Sequence, residues 1–241
     1  MKKLLFFAGM VIIVIFSNCS GPKLATTPAV SNKAVAEQWM ADGDYAKATN
    51  AWKLYFDQTP MEQITGNEFA QAAQSALKSG DQSQSVSWYD QARYKNFADE
   101  TMYLSLAKIF KSQKNISKEL SALEYYKDHF TTDLNKINSR LFELYFEIKM
   151  YDKALDAWEN MIENSKSEIA HLKQYFKINQ ALEKKDINDS LANIILEKDP
   201  ANVDALEWNG NKYYWLGENR YQREMEKYNK NKTNRQYKIL L

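Results

Sequence analysis

The apolar positions divide this chain into three stretches of different character. Lys2 and Lys3 lead an uninterrupted apolar run from Leu4 to Phe16, which breaks at Ser17-Asn18-Cys19. Small residues and prolines follow, in SGPKLATTP over residues 20–28. From about residue 31 onward, apolar and polar positions recur every three to four residues, the period of amphipathic helices. No convincing alternating strand pattern is present, and proline and glycine are scarce, at four and seven in all.

The breaks between the helices recur as well. Gly43, Gly80 and Gly217 each follow one amphipathic stretch and precede another. A glycine there suits a helix C-terminus, and Asp44 and Asp81 stand where the next helix needs a side-chain cap. Similar turns without glycine fall at Lys114, Lys149 and Lys185. The six turns are spaced by roughly 35 residues, the period of a helix–turn–helix repeat.

At residue level the repeat resembles the tetratricopeptide family. GDYAKATNAWKLYFDQTP carries Gly43, Tyr45, Ala48, Trp52 and Pro60 in that family's pattern. Tyr103, Leu106, Ala107 and Phe110 match the large–large–small–large face of a first helix, and Tyr151, Ala154 and Trp158 match a second helix. DPANVDALEWNGNKYYWLGE places Asp199-Pro200, Gly210, Tyr213 and Gly217 in the last unit. The resemblance covers about residues 31–230, with units one, four and six strong and units two, three and five degenerate. It implies an all-α fold, a right-handed α-solenoid of about six helix hairpins over residues 31–241. Paired helices approach closely only where a side chain is small, at Ala36, Ala73, Ala107 and Gly210 in first helices and at Ala48 and Ala154 in second helices. Phe142 occupies such a place in unit four, which predicts looser or shifted packing there.

The N-terminal run is too short to span a bilayer, since 13 helical residues cover roughly 20 Å of a core about 30 Å thick. A charged start, a short apolar core and a polar break are the parts of a secretory signal. Residues 1–18 followed by Cys19 resemble the signal peptide of a bacterial lipoprotein of the Bacteroidota type, although Phe16 and Asn18 depart from the usual residues. The resemblance implies cleavage before Cys19 and lipid, palmitate included, on that cysteine. Several acyl chains hold a protein firmly to a membrane. A lone cysteine makes no internal disulfide. Residues 19–30 read as a flexible tether. Ser20 after the cysteine resembles lipoproteins sorted to the outer membrane, and without the acidic cluster that surface-exposed members of that group carry, the resemblance implies the periplasmic face rather than the cell surface.

Charge and candidate chemistry narrow the function. Lys and Arg number 32 against 31 Asp and Glu, so no strong field is available for nucleic acid. His129 and His171 are the only histidines and lie in no metal-ligand spacing. No nucleophile or phosphate-loop motif is present. The chain is read as no enzyme, with no cofactor and no metal implied.

Binding is the function that the resemblance offers, with first helices lining a concave groove. The first unit shows Lys33 but Glu37 where a carboxylate clamp for a chain's C-terminus wants asparagine, so that mode is disfavoured. Glu207, Asn211, Tyr214 and Trp215 form the candidate binding cluster, off the face defined by Gly210 and Tyr213, with Phe146 in a similar phase. Aromatic anchors beside polar groups suit a binding hot spot. The expected role is a protein–protein interaction scaffold or adaptor in the cell envelope, taking partner peptides or proteins. The alternative is an accessory lipoprotein for glycan or nutrient uptake, docked on an outer-membrane transporter. Asp189-Ser190-Leu191 also resembles the short O-glycosylation sequon of the Bacteroidota. The apolar end of TNRQYKILL (residues 233–241) is expected either to fold back on unit six or to continue into a longer natural chain.

Overall fold

The first six α-helices each begin on a side chain that accepts a backbone N–H of the first turn, and the five that follow them do not. A computed structural model of the protein describes residues 31–230. The readings placed on the signal peptide (1–18), on Cys19 and the tether, and on residues 233–241 lie outside the described residues. The chain divides into two compact units, one up to Gln63 and the other from Ile64. Both are helical, and among the described residues there is no strand.

The first unit is one hairpin, α1 (Asn32–Ala41) and α2 (Tyr45–Gln58), followed by a single 3₁₀ turn at Met61–Gln63. The Ser31 hydroxyl accepts the Ala34 N–H at 3.2 Å and the Asp44 carboxylate accepts the Lys47 N–H at 3.2 Å. Between these caps Gly43 turns the chain with φ +79°, a conformation that glycine adopts at no steric cost. Ala36 and Ala48 are fully buried, as is Trp52, which donates Nε1–H to Met40 Sδ at 3.3 Å and stacks on Phe56. Asn32 Nδ2 donates to Gln58 Oε1 at 2.8 Å and joins the open end of the hairpin.

The second unit stacks four hairpins as an α-solenoid. They are α3 (Gly66–Lys78) with α4 (Gln82–Tyr94), α5 (Glu100–Ser112) with α6 (Ile116–His129), α7 (Leu134–Glu147) with α8 (Tyr151–Glu159), and, after the four-residue α9 (Glu163–Lys166), α10 (Ile169–Ala181) with α11 (Lys185–Lys198). The turns within these hairpins repeat one device, a left-handed residue two positions before the next helix. Gly80, Lys114, Lys149 and Glu183 have positive φ, and Asp81 and Asn115 then cap α4 and α6 through their side chains. The turn read at Lys185 therefore sits two residues earlier, at Glu183. α3 opens on a reciprocal cap between Thr65 and Glu68.

The close-packed place in the second helices explains why some repeats look degenerate. It is the fourth residue of each: Ala48, Ser85, Glu119, Ala154 and Asn188, all at most 2% exposed. In units two, three and five a polar residue stands where the pattern asks for alanine. Glu119 is met by Arg140 from the next hairpin, Nε to Oε1 at 2.7 Å and Nη2 to Oε2 at 3.1 Å. Arg140 continues through Nη1 to Glu143 Oε2 at 2.6 Å. Glu143 Oε1 lies 3.5 Å from Nε2 of His171, whose Nδ1 meets the Ser165 carbonyl at 2.7 Å. These contacts tie α6, α7 and α10 together, and Glu119 and Glu143 hold the Arg140 guanidinium further into its charged form. His171 is thus a buried member of this network, whereas His129 is exposed, its ring stacked on Tyr125 at the end of α6.

Three further expectations change. Phe142 is fully buried rather than loosely packed, with its ring 5.2 Å from Trp158 and 5.7 Å, edge-on, from His171. The large residue is absorbed because Ala154 and Ala157 on the facing helix are small and fully buried. The turn read at Gly217 is absent. α12 (Val203–Lys230) runs unbroken for 28 residues through both Gly210 and Gly217. The reason is chemical: Gly43 and Gly80 are each followed by an aspartate that caps the next helix, and Gly217 is followed by Glu218, a good helix former. A Cβ at Gly210 would meet nothing within 4 Å, and Tyr213 is 65% exposed, so these residues do not form the packed face expected of them. No described helix is long and apolar enough to cross a membrane.

Candidate functional site

α12 is seated on the α10–α11 hairpin by its first turns. Asn202 Oδ1 accepts the Ala205 N–H at 3.0 Å, and Ala205 is fully buried. Trp208 lies edge-on to Phe176 with ring centroids 5.6 Å apart and donates Nε1–H to Asp189 Oδ1 at 2.9 Å. Lys212 Nζ takes the other carboxylate oxygen at 2.8 Å, and Lys177 pairs with Asp204 at 3.1 Å. The hydrogen bond from Lys212, and then that from Trp208, hold the Asp189 carboxyl below the usual carboxylate range. The same bond to Asp189 pushes Lys212 up.

These anchors leave a cleft of about 490 Å³ lined by Gln180, Lys185, Trp208, Asn211, Trp215 and Asn219, among others. Asn211 and Trp215 share its wall because residues four apart stack along a helix. Trp215 is 61% exposed. The other two members of the predicted cluster turn elsewhere. Tyr214 is one residue, or about 100° of helix, from Trp215, touches it edge-on at 5.5 Å and is 64% exposed outside the cleft; Glu207 is also exposed outside it. Phe146 is half-buried on α7, which packs on α6, α8 and α10, and is no part of this wall. One predicted cluster therefore resolves into a cleft pair, an outward pair and a remote phenyl ring.

Two contributors went unread in the sequence. Trp208 frames the cleft, and its sequence signal was the i, i+4 spacing to Lys212. Asp189 was singled out only as part of a sequon. Its carboxylate is engaged by Trp208 and Lys212, Ser190 is exposed and Leu191 is buried. A second cleft of about 550 Å³ lies between α4, α5 and α6, where Tyr103 stacks on Tyr125 at 4.0 Å. Burial first, and then Tyr125, push the Tyr103 hydroxyl up to about 12.

The first cleft offers an indole face for an apolar side chain, amides for a backbone and a lysine for a carboxylate. Among the described residues no group of three or more His, Cys, Asp or Glu is placed to hold a metal ion.

No protein-family model matches the sequence, and a comparison with curated proteins finds no match. Solved structures do resemble it. YrrB, described as a tetratricopeptide protein with an unusual peptide-binding site, aligns with a TM-score of 0.52 at 9% identity, over 74% of this chain and 90% of YrrB. MamA aligns with a TM-score of 0.50 at 15% identity, over 70% of this chain and 90% of MamA. With its hairpin period, small-residue contacts and these neighbours, the chain has the tetratricopeptide-repeat fold.

Proposed function

We propose that this protein is a non-catalytic scaffold of the cell envelope that docks a peptide segment of a partner protein in the cleft between Trp208 and Trp215. The tetratricopeptide fold supports protein partners in general. The observation that carries the finer reading is the exposed indole of Trp215 beside Asn211 over a cleft whose floor is fixed by Trp208, Asp189 and Lys212. A partner's apolar side chain stacks on Trp215, its backbone pairs with Asn211, Asn219 or Gln180, and Lys185 favours an acidic neighbour.

A photo-crosslinker placed at Trp215 in native membranes is expected to capture a defined partner. Trp215→Ala is expected to weaken recovery of that partner in a pull-down about thirty-fold, the loss of a ~2 kcal/mol hot spot. Equal recovery by the variant shows that the cleft is not the docking surface.

Lipid on Cys19 would hold the scaffold at the periplasmic face of the outer membrane. Labelled palmitate is expected in the parent protein and not in Cys19→Ser, with uncleaved precursor accumulating when the lipoprotein signal peptidase is inhibited. Equal labelling of the two proteins removes the anchor from this reading.

A further inference from the structure

Two successive grooves between second helices are built alike and charged differently. The later one lies between α6 and α8 over Tyr145 of α7, and the earlier one between α4 and α6 over Phe110 of α5. Their lining residues correspond place by place. Asp90 and Arg93 are the ninth and twelfth residues of α4, as Glu124 and Lys127 are of α6. Lys118 and Ser121 are the third and sixth of α6, as Lys153 and Asp156 are of α8. Phe110 and Tyr145 each stand four residues before the left-handed turn residue, Lys114 or Lys149.

The later groove is closed by the chain's own charges. Lys153 Nζ meets Glu124 Oε1 at 2.8 Å, and Lys127 Nζ meets Asp156 Oδ2 at 2.9 Å, one pair in each direction across the groove. The Tyr145 hydroxyl donates to Glu124 Oε1 at 2.6 Å, and Lys153 Nζ lies 5.4 Å from the centre of the Tyr145 ring.

The earlier groove has the cations without these partners. Lys118 Nζ takes the same place over Phe110, also at 5.4 Å. Asp90 is one methylene shorter than Glu124, and Phe110 has no hydroxyl to hold it. Asp90 turns instead to Arg93 on its own helix, at 3.6 Å. Ser121 stands in place of the second acid, and its hydroxyl donates to the Ser117 carbonyl at 3.0 Å within α6. Among the described residues neither Arg93 nor Lys118 meets a carboxylate across the groove. About 550 Å³ of space is left between them, over an apolar floor that includes Leu106 and Phe110.

We infer that this groove takes an acidic segment of a partner protein, whose carboxylates stand where Glu124 and Asp156 stand in the next groove. Charge complementarity carries the choice of occupant. Two cations face one aspartate here, and the protein itself shows what a carboxylate does at the same places one repeat later. A carboxylate meets a cation more strongly beside an apolar floor than in open water, and its charge-assisted hydrogen bonds are stronger than neutral ones. The floor then receives an apolar side chain next to the acidic ones. Asp90 at the rim disfavours a dense anion such as a phosphate and tolerates single carboxylates placed on Arg93 and Lys118. The groove is separate from the Trp215 cleft and does not rest on the proposed function.

Fluorescence anisotropy with the full chain in nonionic detergent tests it. The probe is a short peptide carrying Glu-Leu-Glu between glycines and an uncharged fluorophore. A Trp215→Ala background keeps the other cleft from reporting. The peptide is expected to bind, and its Gln-Leu-Gln counterpart to bind at least about tenfold more weakly, the loss of charge-assisted bonds. Ser121→Asp supplies from within the carboxylate that Asp156 supplies in the next groove. It is expected to weaken binding at least about tenfold, as is Arg93→Gln, with the helical circular dichroism retained in both. Ser121→Asn, as large but uncharged, is expected to keep most of the binding. Absence of binding at about 1 mM peptide overturns the inference. So does equal binding of the two peptides, indifference to Ser121→Asp or to Arg93→Gln, or an equal loss in Ser121→Asn and Ser121→Asp.

Discussion

Replacing Arg140 with alanine is expected to destabilise the protein by about 3–5 kcal/mol, because it strands a buried carboxylate. Glu119 has a side chain only 3% exposed, and its ion-pair partner is the Arg140 guanidinium, which meets both carboxylate oxygens. Removing the partner leaves the desolvation of Glu119 uncompensated. Arg140→Lys is expected to recover only part of the loss, since an ammonium cannot reproduce the two-pronged contact. The double variant Glu119→Ala with Arg140→Leu is expected to lie within about 1 kcal/mol of the parent, because alanine is the residue for which the repeat leaves room and a buried ion pair adds little net stability. Urea unfolding of the four proteins measures these differences. A loss below about 1 kcal/mol for Arg140→Ala would show that Glu119 is solvated on that side.

Restoring the family's small residue at Phe142 is expected to harm the protein. Phe142→Ala should cost about 3–5 kcal/mol, the range for emptying a fully buried phenyl site. The ring fills the space between Trp158 and the imidazole of His171, so its loss also loosens the polar network that ends on that histidine. Phe142→Leu keeps much of the volume and is expected to cost less than half as much. Thermal unfolding of the two variants checks this, and a Phe142→Ala protein as stable as the parent would mean that the neighbours collapse into the gap.

The helical period and the turns at Gly43, Gly80, Lys114 and Lys149 were legible because turn chemistry is local: a left-handed residue, followed at the first three by a capping side chain. The false turn at Gly217 shows the limit of the same signal. Glycine permits a break but does not make one: Gly43 and Gly80 are followed by capping aspartates, and Gly217 is followed by Glu218, which continues the helix. The polar residues at the close-packed places of units two, three and five read as decay of the pattern. Their compensation, Arg140 for Glu119, comes from the next repeat 21 residues away and leaves no mark in the local window. At Asn188 neither side-chain polar atom has a hydrogen-bond partner among the described residues, and the structure supplies no compensation. The candidate site was legible as a composition of aromatic and polar residues on one helix. Its division between two surfaces depended on which side α11 occupies, fixed by Asp189 through Trp208 and Lys212.

The chain of contacts from Glu119 through Arg140 and Glu143 to His171 also bears on how this protein comes apart. A repeat array joined only by apolar contact between neighbours behaves as a row of weakly coupled segments, each able to melt on its own. Here a single run of charged and polar groups binds α6, α7 and α10, so loss of any one hairpin strands buried polar atoms in the next. The hairpins that carry α6, α7 and α10 are therefore expected to unfold together, so that a unit read in the sequence as a separate repeat is not a separate step in unfolding.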